Sequence, residues 1–160
     1  MSMKLDRIDR IILRALQKDC RVSAESLGEL AGLSPSATQR RVARLRDAGV
    51  IAREVAVIPP NSVGRPLLLI VQATLRGEDS KGAEAFRREM RDNDAVMQCY
   101  FVTGDADYVF LYAARDMEEF DAFVKSTLLD NPHVVGTRTN VVMRPVKMTL
   151  AVPIDEEERD

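Results

Sequence analysis

Histidine and cysteine are scarce in this chain of 160 residues, with one His and two Cys. Cys20 and Cys99 lie far apart and neither belongs to a CxxC pair, so both are expected to be buried, reduced thiols of a cytoplasmic protein. His133 follows Pro132 and reads as a surface loop residue. With no Ser-His-Asp set, no P-loop and no GxGxxG, catalysis is not expected. Asp105 and Asp107 lack the further acidic positions and the terminal Glu of an EF-hand loop, so neither a metal nor a cofactor is expected. Long apolar runs are also missing. None approaches the roughly 18–20 residues of a membrane span, which excludes a membrane partner. The opening MSMKLDRIDR has no apolar signal core, so export is not indicated.

What is present is enough apolar residue, 46%, for one ordinary domain or two small ones. Charge divides the chain. Residues 1–58 hold 11 Lys/Arg against 7 Asp/Glu, and residues 59–160 hold 12 against 18. A net-basic module facing a polyanion, followed by an acidic module with another task, fits that asymmetry. The tail over 153–160 is acidic and is expected to fray.

The first module reads as three helices. Ile8, Ile11, Ile12, Ala15 and Leu16 form one helical stripe. Ser23 caps a short second helix whose Leu27, Leu30 and Ala31 are expected to face inward, and Gly32 ends it. Ser34 caps a third helix with Pro35 in its first position, and Gly49 stops it. Helix, short helix, tight turn and helix is the helix-turn-helix pattern. Residues 50–58 alternate loosely, as a connecting strand or wing would.

On the third helix, at about 100° per residue, Thr38, Val42 and Leu45 share the core side. Ser36, Arg40 and Arg44 fall opposite, flanked by Gln39 and Arg41. The outer face near the N-terminus is therefore small and basic: Ser36, Ala37 and Arg40. Small side chains permit close approach to a groove wall, and arginine can fork onto guanine or bridge to phosphate. Ser23 and Ser34, with the first N–H groups of their helices, can meet phosphates. In a helix-turn-helix the later helix enters the major groove.

IPPNSVGRP, 58–66, breaks any regular element, and the linker is placed at 59–66. Beyond it the period changes. Strands are expected at 67–75, 96–102, 108–114 and 137–143, and 148–152 offers a continuation of the last. Helices are expected at 80–92, with Ala83, Phe86 and Met90 inward, and at 117–129, with Phe120, Phe123, Val124, Thr127 and Leu128 inward. The order is β-α-β-β-α-β, the ferredoxin-like split arrangement. Two helices cover one sheet face only. Leu68, Ile70 and either Tyr100 or Phe101 make the other apolar, which predicts a homodimer through the sheet. The fold class is α+β, with a winged helix-turn-helix over 1–58 and a βαββαβ domain over 67–152.

Four segments carry a family resemblance in the right order: LDRIDRIILRALQKDCRVS, ELAGLSPSATQRRVARLRDAGVI, VTGDADYVFLY and TRTNVVMRPVK. In these the chain resembles the Lrp/AsnC ("feast/famine") transcription regulators over nearly its whole length. The resemblance implies promoter DNA as partner, dimers assembling further, often to octamers, and tuning by an amino acid or related small metabolite. It implies a cytoplasmic, nucleoid-associated protein. It assigns effector contacts to Gly104, Asp105, Asp107 and Tyr108 in the loop motif, to Phe101 and Met117 along the pocket, and to Thr139, Asn140, Val141 and Val142 on the last strand. DNA contacts are expected from Ser23, Ser34, Ser36, Ala37, Gln39, Arg40, Arg41 and Arg44. An amino acid needs an acceptor for its ammonium, which Asp105 or Asp107 offers, and N–H donors for its carboxylate, which the backbone around Gly104 offers. The same Gly-Asp pair also suits an ordinary hairpin turn. The rival to a ligand-tuned regulator is an architectural DNA-binding protein that ignores ligands.

Overall fold

A computed structural model describes residues 3–77 and 81–155. The chain folds into two compact units. One comprises residues 1–56 together with 147–160, the other residues 57–146.

The first unit is built on α1 (Arg7–Leu16), α2 (Ala24–Ala31) and α3 (Pro35–Asp47). Each helix starts where a side-chain oxygen satisfies an orphan N–H. Asp6 accepts from the Asp9 N–H and Asp9 answers with the Asp6 N–H, a reciprocal capping box. Ser23 and Ser34 cap α2 and α3. Gly32 closes α2 at φ +68°, a left-handed conformation that other residues adopt only at a cost. Ile12, Leu13, Leu27, Ala31, Val42 and Leu45 form the core.

Leu30, expected inside, is 62% exposed. The inward face of α2 is instead Leu27, Gly28 and Ala31. A Cβ at Gly28 would stand 2.6 Å from the Leu33 carbonyl oxygen and 3.3 Å from Thr38 Oγ1. This close approach, available only to glycine, turns α2 so that Leu30 points to solvent.

Residues 50–58 form neither strand nor wing within the chain, and Val55, Val57 and Ile58 are exposed. The last strand does not resume over 148–152. That segment lies in the first unit, where Gln17 Nε2 donates to the Val152 carbonyl (3.1 Å), the Val152 N–H donates to Gln17 Oε1 (2.7 Å), and Ile154 packs against the helical core. The chain therefore passes between the units twice. Of the acidic tail, residues 156–160 lie outside the described residues.

The second unit is a four-stranded sheet with order β2-β3-β1-β4, where β1 is Leu67–Leu75, β2 Val96–Phe101, β3 Tyr108–Ala114 and β4 Val134–Val141. All three pairings are antiparallel, as the split βαβ arrangement requires. Helix α4 (Lys81–Asp92) and helix α5 (Met117–Phe123), extended by a π-helical turn over Val124–Leu129, supply Ala83, Phe86, Met90, Phe120, Phe123 and Leu128 to the core against Leu69, Val71 and Phe110. The 59–66 stretch is not a free linker. It holds a 3₁₀ turn over Pro60–Val63, and Arg65 anchors it by donating to the Ala113 carbonyl (2.8 Å) beside Glu119.

The register settles which aromatic faces the open side. Tyr100 pairs with Val109, in line with Ile70 and Leu111 on that face, whereas Phe101 pairs with Tyr108 and sets its ring 5.3 Å away, tilted by 53°, on the helix side. Neither cysteine is buried: Cys20 is exposed and Cys99 half-buried, where burial pushes its thiol pKa up. His133 is not a free loop residue either. A Cβ added to Gly82 in α4 would fall 2.1 Å from its Cγ, so the imidazole rests on a glycine seat. Gly82→Ala, which helix propensity alone would favour, is predicted to cost about 1–3 kcal/mol by overpacking. Urea denaturation should show the loss largely recovered in the Gly82→Ala/His133→Ala double variant.

Candidate nucleic-acid interface and effector loop

Helix α3 has the two faces its sequence implies. Thr38, Val42 and Leu45 are buried, and Thr38 Oγ1 donates to the Ser34 carbonyl at 3.0 Å. Ser34, Ser36, Gln39 and Arg40 are exposed, and Ala37 is half-buried. Ser34 Oγ accepts from the Ala37 N–H at 3.3 Å and lies 3.3 Å from Ser36 Oγ. At the start of α2, exposed Ser23 accepts from the Ser26 N–H at 3.2 Å.

The four arginines of α3 are not equivalent. Arg40 is exposed and makes no hydrogen bond or ion pair with a described residue. Arg41 Nη1 donates to Asp6 Oδ2 (2.6 Å) and Asp9 Oδ1 (2.9 Å). Arg44 Nη2 donates to both oxygens of Asp9, at 2.8 and 2.7 Å. Arg46 reaches both oxygens of Glu54, at 2.8 and 3.0 Å. The hydrogen bond to Asp6 raises the Arg41 pKa against the opposing effect of burial. Burial works against an ionised Asp6, yet the Asp9 N–H and the Arg41 guanidinium outweigh it and hold its carboxyl below the ordinary value.

Asp9 is the group that sequence reasoning missed. Its side chain is 1% exposed, and its two oxygens accept from the Asp6 N–H, Arg41 and Arg44. The signal was available: two aspartates three apart at a helix start can form a capping box. That the second would also collect two arginines from α3 depends on tertiary packing, which the spacing does not encode.

The loop between β2 and β3 places Gly104 at φ +123° with Asp105 exposed beside it. Asp107 is tied down. Its N–H donates to the Ala73 carbonyl (3.1 Å), its carbonyl accepts from the Val102 N–H (2.8 Å), and its Oδ2 accepts from the Leu75 N–H (2.6 Å). Leu75 sits where the β1–β4 register slips, so the carboxylate serves a backbone donor at an irregular point of the sheet. Tyr108 is 2% exposed, its ring 4.9 Å from Phe86 and its hydroxyl accepting from Arg87 at 3.1 Å. Those two contacts make it a core residue. The carboxylate of Asp105 has no such partner among the described residues.

The remaining candidates do not converge within one chain. Phe101 lies on β2 and Thr139, Asn140 and Val141 on β4, opposite edges of the sheet. Three strand spacings of about 4.8 Å separate the edges by roughly 14 Å. Met117, 53% exposed, follows the far end of β3 from the loop. Phe101, Thr139, Asn140 and Val141 are exposed and Val142 half-buried. Asp107→Ala is predicted to lower stability by about 1–3 kcal/mol, as the buried Leu75 N–H loses a charged acceptor, while Asp105→Ala should change it by less than about 0.5 kcal/mol. Thermal unfolding of the two variants checks both.

Comparison with known proteins gives these features a setting. A family model described as the Lrp/AsnC ligand binding domain matches residues 68–152, and one described as the AsnC-type helix-turn-helix domain matches residues 5–46. An uncharacterised HTH-type transcriptional regulator of Sinorhizobium fredii is 43% identical over 154 residues, 96% of this chain and 91% of that one. The leucine-responsive regulatory protein of Escherichia coli is 38% identical over 145 residues, covering 91% and 88%. Among solved structures, a transcriptional regulator of Neisseria meningitidis in complex with L-methionine superposes with TM-score 0.89 at 32% identity, covering 95% of this chain and 98% of that one. A feast or famine regulatory protein of M. tuberculosis complexed with L-methionine gives 0.82 at 30%, covering 95% and 100%.

Proposed function

We propose that this chain, which belongs to the Lrp/AsnC family of transcriptional regulators, reads promoter DNA with α3 and is tuned by an amino acid bound in its second unit. Its relatives are regulators rather than enzymes. The observation that carries the DNA reading is the exposed guanidinium of Arg40, with no partner among the described residues, on the outward face of α3 beside Ser36, Ala37 and Gln39. Arg40 and Gln39 reach base edges, while the capped starts of α2 and α3, with Ser23 and Ser34, meet phosphate. Arg41 and Arg44 border the interface with their charge shared by α1. Arg40→Ala should weaken binding to the preferred duplex by about 1–3 kcal/mol and relax preference at one position. Titration against a duplex selected from a random pool measures this, and unchanged affinity would remove Arg40 from the interface.

The effector reading rests on two similar structures that hold L-methionine and on the exposed loop around Gly104 and Asp105. With Asp107 and Tyr108 engaged in the fold, Asp105 is the acceptor for a ligand ammonium. Asp107 and Tyr108 shape the loop, and Phe101, Met117 and residues 139–142 contribute walls. Because these walls lie apart in one chain, the pocket closes only between copies. The apolar open face with Ile70, Leu111 and Tyr100 suits a homodimer, and further closed association of dimers, up to an octamer, brings the loops together. Ligand binding then alters dimer–dimer geometry and the spacing of DNA contacts, a coupling of about 1–3 kcal/mol.

No helix among the described residues is long and apolar enough to cross a membrane, and a duplex-DNA target supports the reading of a cytoplasmic, nucleoid-associated protein. A thermal-shift screen against the twenty amino acids, methionine first, tests the tuning. At about 100 times Kd a ligand stabilises by roughly 2.7 kcal/mol, several degrees in Tm. A shift lost in Asp105→Ala supports the assignment. No shift with any amino acid would favour an architectural, ligand-independent DNA-binding protein.

A further inference from the structure

The reader unit contains one buried charged residue among those described, Asp9, at 0% exposure. The contacts that hold α3 fall into two kinds. Val42 and Leu45 enter the apolar core, which turns one face of α3 inward by a non-directional attraction. The hydrogen bonds from Arg41 and Arg44 to Asp9, all between 2.7 and 2.9 Å, are charge-assisted and directional. Asp9 is itself fixed by the capping box at the start of α1. Arg44 stands one turn from Arg40 on the same face of α3, and Arg41 lies about 100° round the helix from it. Whatever fixes those two fixes the azimuth of Arg40.

The same contacts have an electrostatic consequence. Arg44 is 51% exposed along its side chain and Arg41 26%, so both stand close enough to solvent to meet a phosphate if released. Asp9 shares their charge and holds their N–H groups. Arg40 is left as the arginine of α3 with no described partner.

We infer that Asp9 is a positioning residue for DNA reading, which sets the rotation of α3 and withholds Arg41 and Arg44 from the phosphate backbone, so that sequence-independent attraction stays low relative to base reading by Arg40. The inference rests on the DNA-reading role proposed above. Asp9 touches no DNA in this account and acts through the two arginines.

The test is the salt dependence of binding by the full-length protein, on a duplex enriched from a random pool by the wild type and on a scrambled duplex of equal composition. Each phosphate contact contributes about −0.9 to the slope of log K against log salt. Arg44→Gln, at a half-exposed position, should leave the slope on the scrambled duplex unchanged while lowering the preference for the enriched duplex about tenfold, the scale of one disturbed base contact. Asp9→Asn should steepen that slope by about 1 per protomer as Arg44 is released, Arg41 keeping its bond to Asp6, and lower the same preference. A slope shallower by about 1 in Arg44→Gln would make Arg44 a direct phosphate contact and overturn the inference. Unchanged slope and preference in a folded Asp9→Asn would overturn it as well. Should Asp9→Asn not fold, Arg44→Gln decides alone. If the wild type enriches no sequence, the DNA reading itself fails, an outcome visible before any variant is compared.

Discussion

A carboxylate taken out of water must be repaid in hydrogen bonds and charge, or the fold loses several kcal/mol. Asp9 meets that requirement by closing the capping box of α1 and binding two arginines of α3. Much of the reader unit follows from this constraint. The box fixes where α1 begins. The arginines bring α3 to α1 in one rotational setting, and the apolar residues between them fill the remaining space. The outward face of α3, with Ser36, Ala37 and Arg40, is the consequence of that setting.

The ligand-binding unit depends on a different local solution. The sheet slips register at the end of β1, and the Asp107 carboxylate supplies the acceptor that the Leu75 N–H requires there. Asp107 thereby holds the Gly104–Asp105 loop at the edge where β2 turns into β3. One motif thus contains a structural aspartate and an exposed one, two residues apart. The remaining effector candidates are spread over both edges of the sheet, which is why the pocket proposed above draws on more than one copy of the chain. The chain also passes twice between its units, once at 56–57 and again at 146–147, so the segment after β4, the strand that carries Thr139–Val141, returns to the first unit, where Val152 bonds Gln17 and Ile154 packs on the helical core.

Most of the architecture was legible because it is written in local chemistry. Ser23, Gly32, Ser34 and Pro35 mark helix ends, and the buried Ala83, Phe86 and Met90 lie where helical periodicity puts them. The strand order follows from the element order. What stayed hidden is long-range. Leu30 fits an inward pattern on its own helix, but the approach of Gly28 to the Leu33 carbonyl decides the rotation. Residues 148–152 alternate like a strand, yet their backbone partner is the side chain of Gln17, more than a hundred residues earlier in the chain. The wheel of α3 puts Arg40 and Arg44 on the outward face with Arg41 flanking, and only the fold reveals that Arg41, Arg44 and Arg46 have carboxylate partners while Arg40 has none among the described residues. The DNA-facing and effector-facing residues were named by pattern and resemblance. Which of them are held by partners within the fold and which stand exposed comes from the geometry.

The most direct test of the central claim, that α3 reads the major groove through the face ending in Arg40, is methylation interference on an enriched duplex. Guanine N7 reports the major groove and adenine N3 the minor. The account predicts interference at N7 in two patches about one helical turn apart, or a multiple of it, with the dimer spanning them, and loss of interference within each patch in Arg40→Ala. Interference confined to adenine N3, or a pattern indifferent to Arg40→Ala, would contradict it.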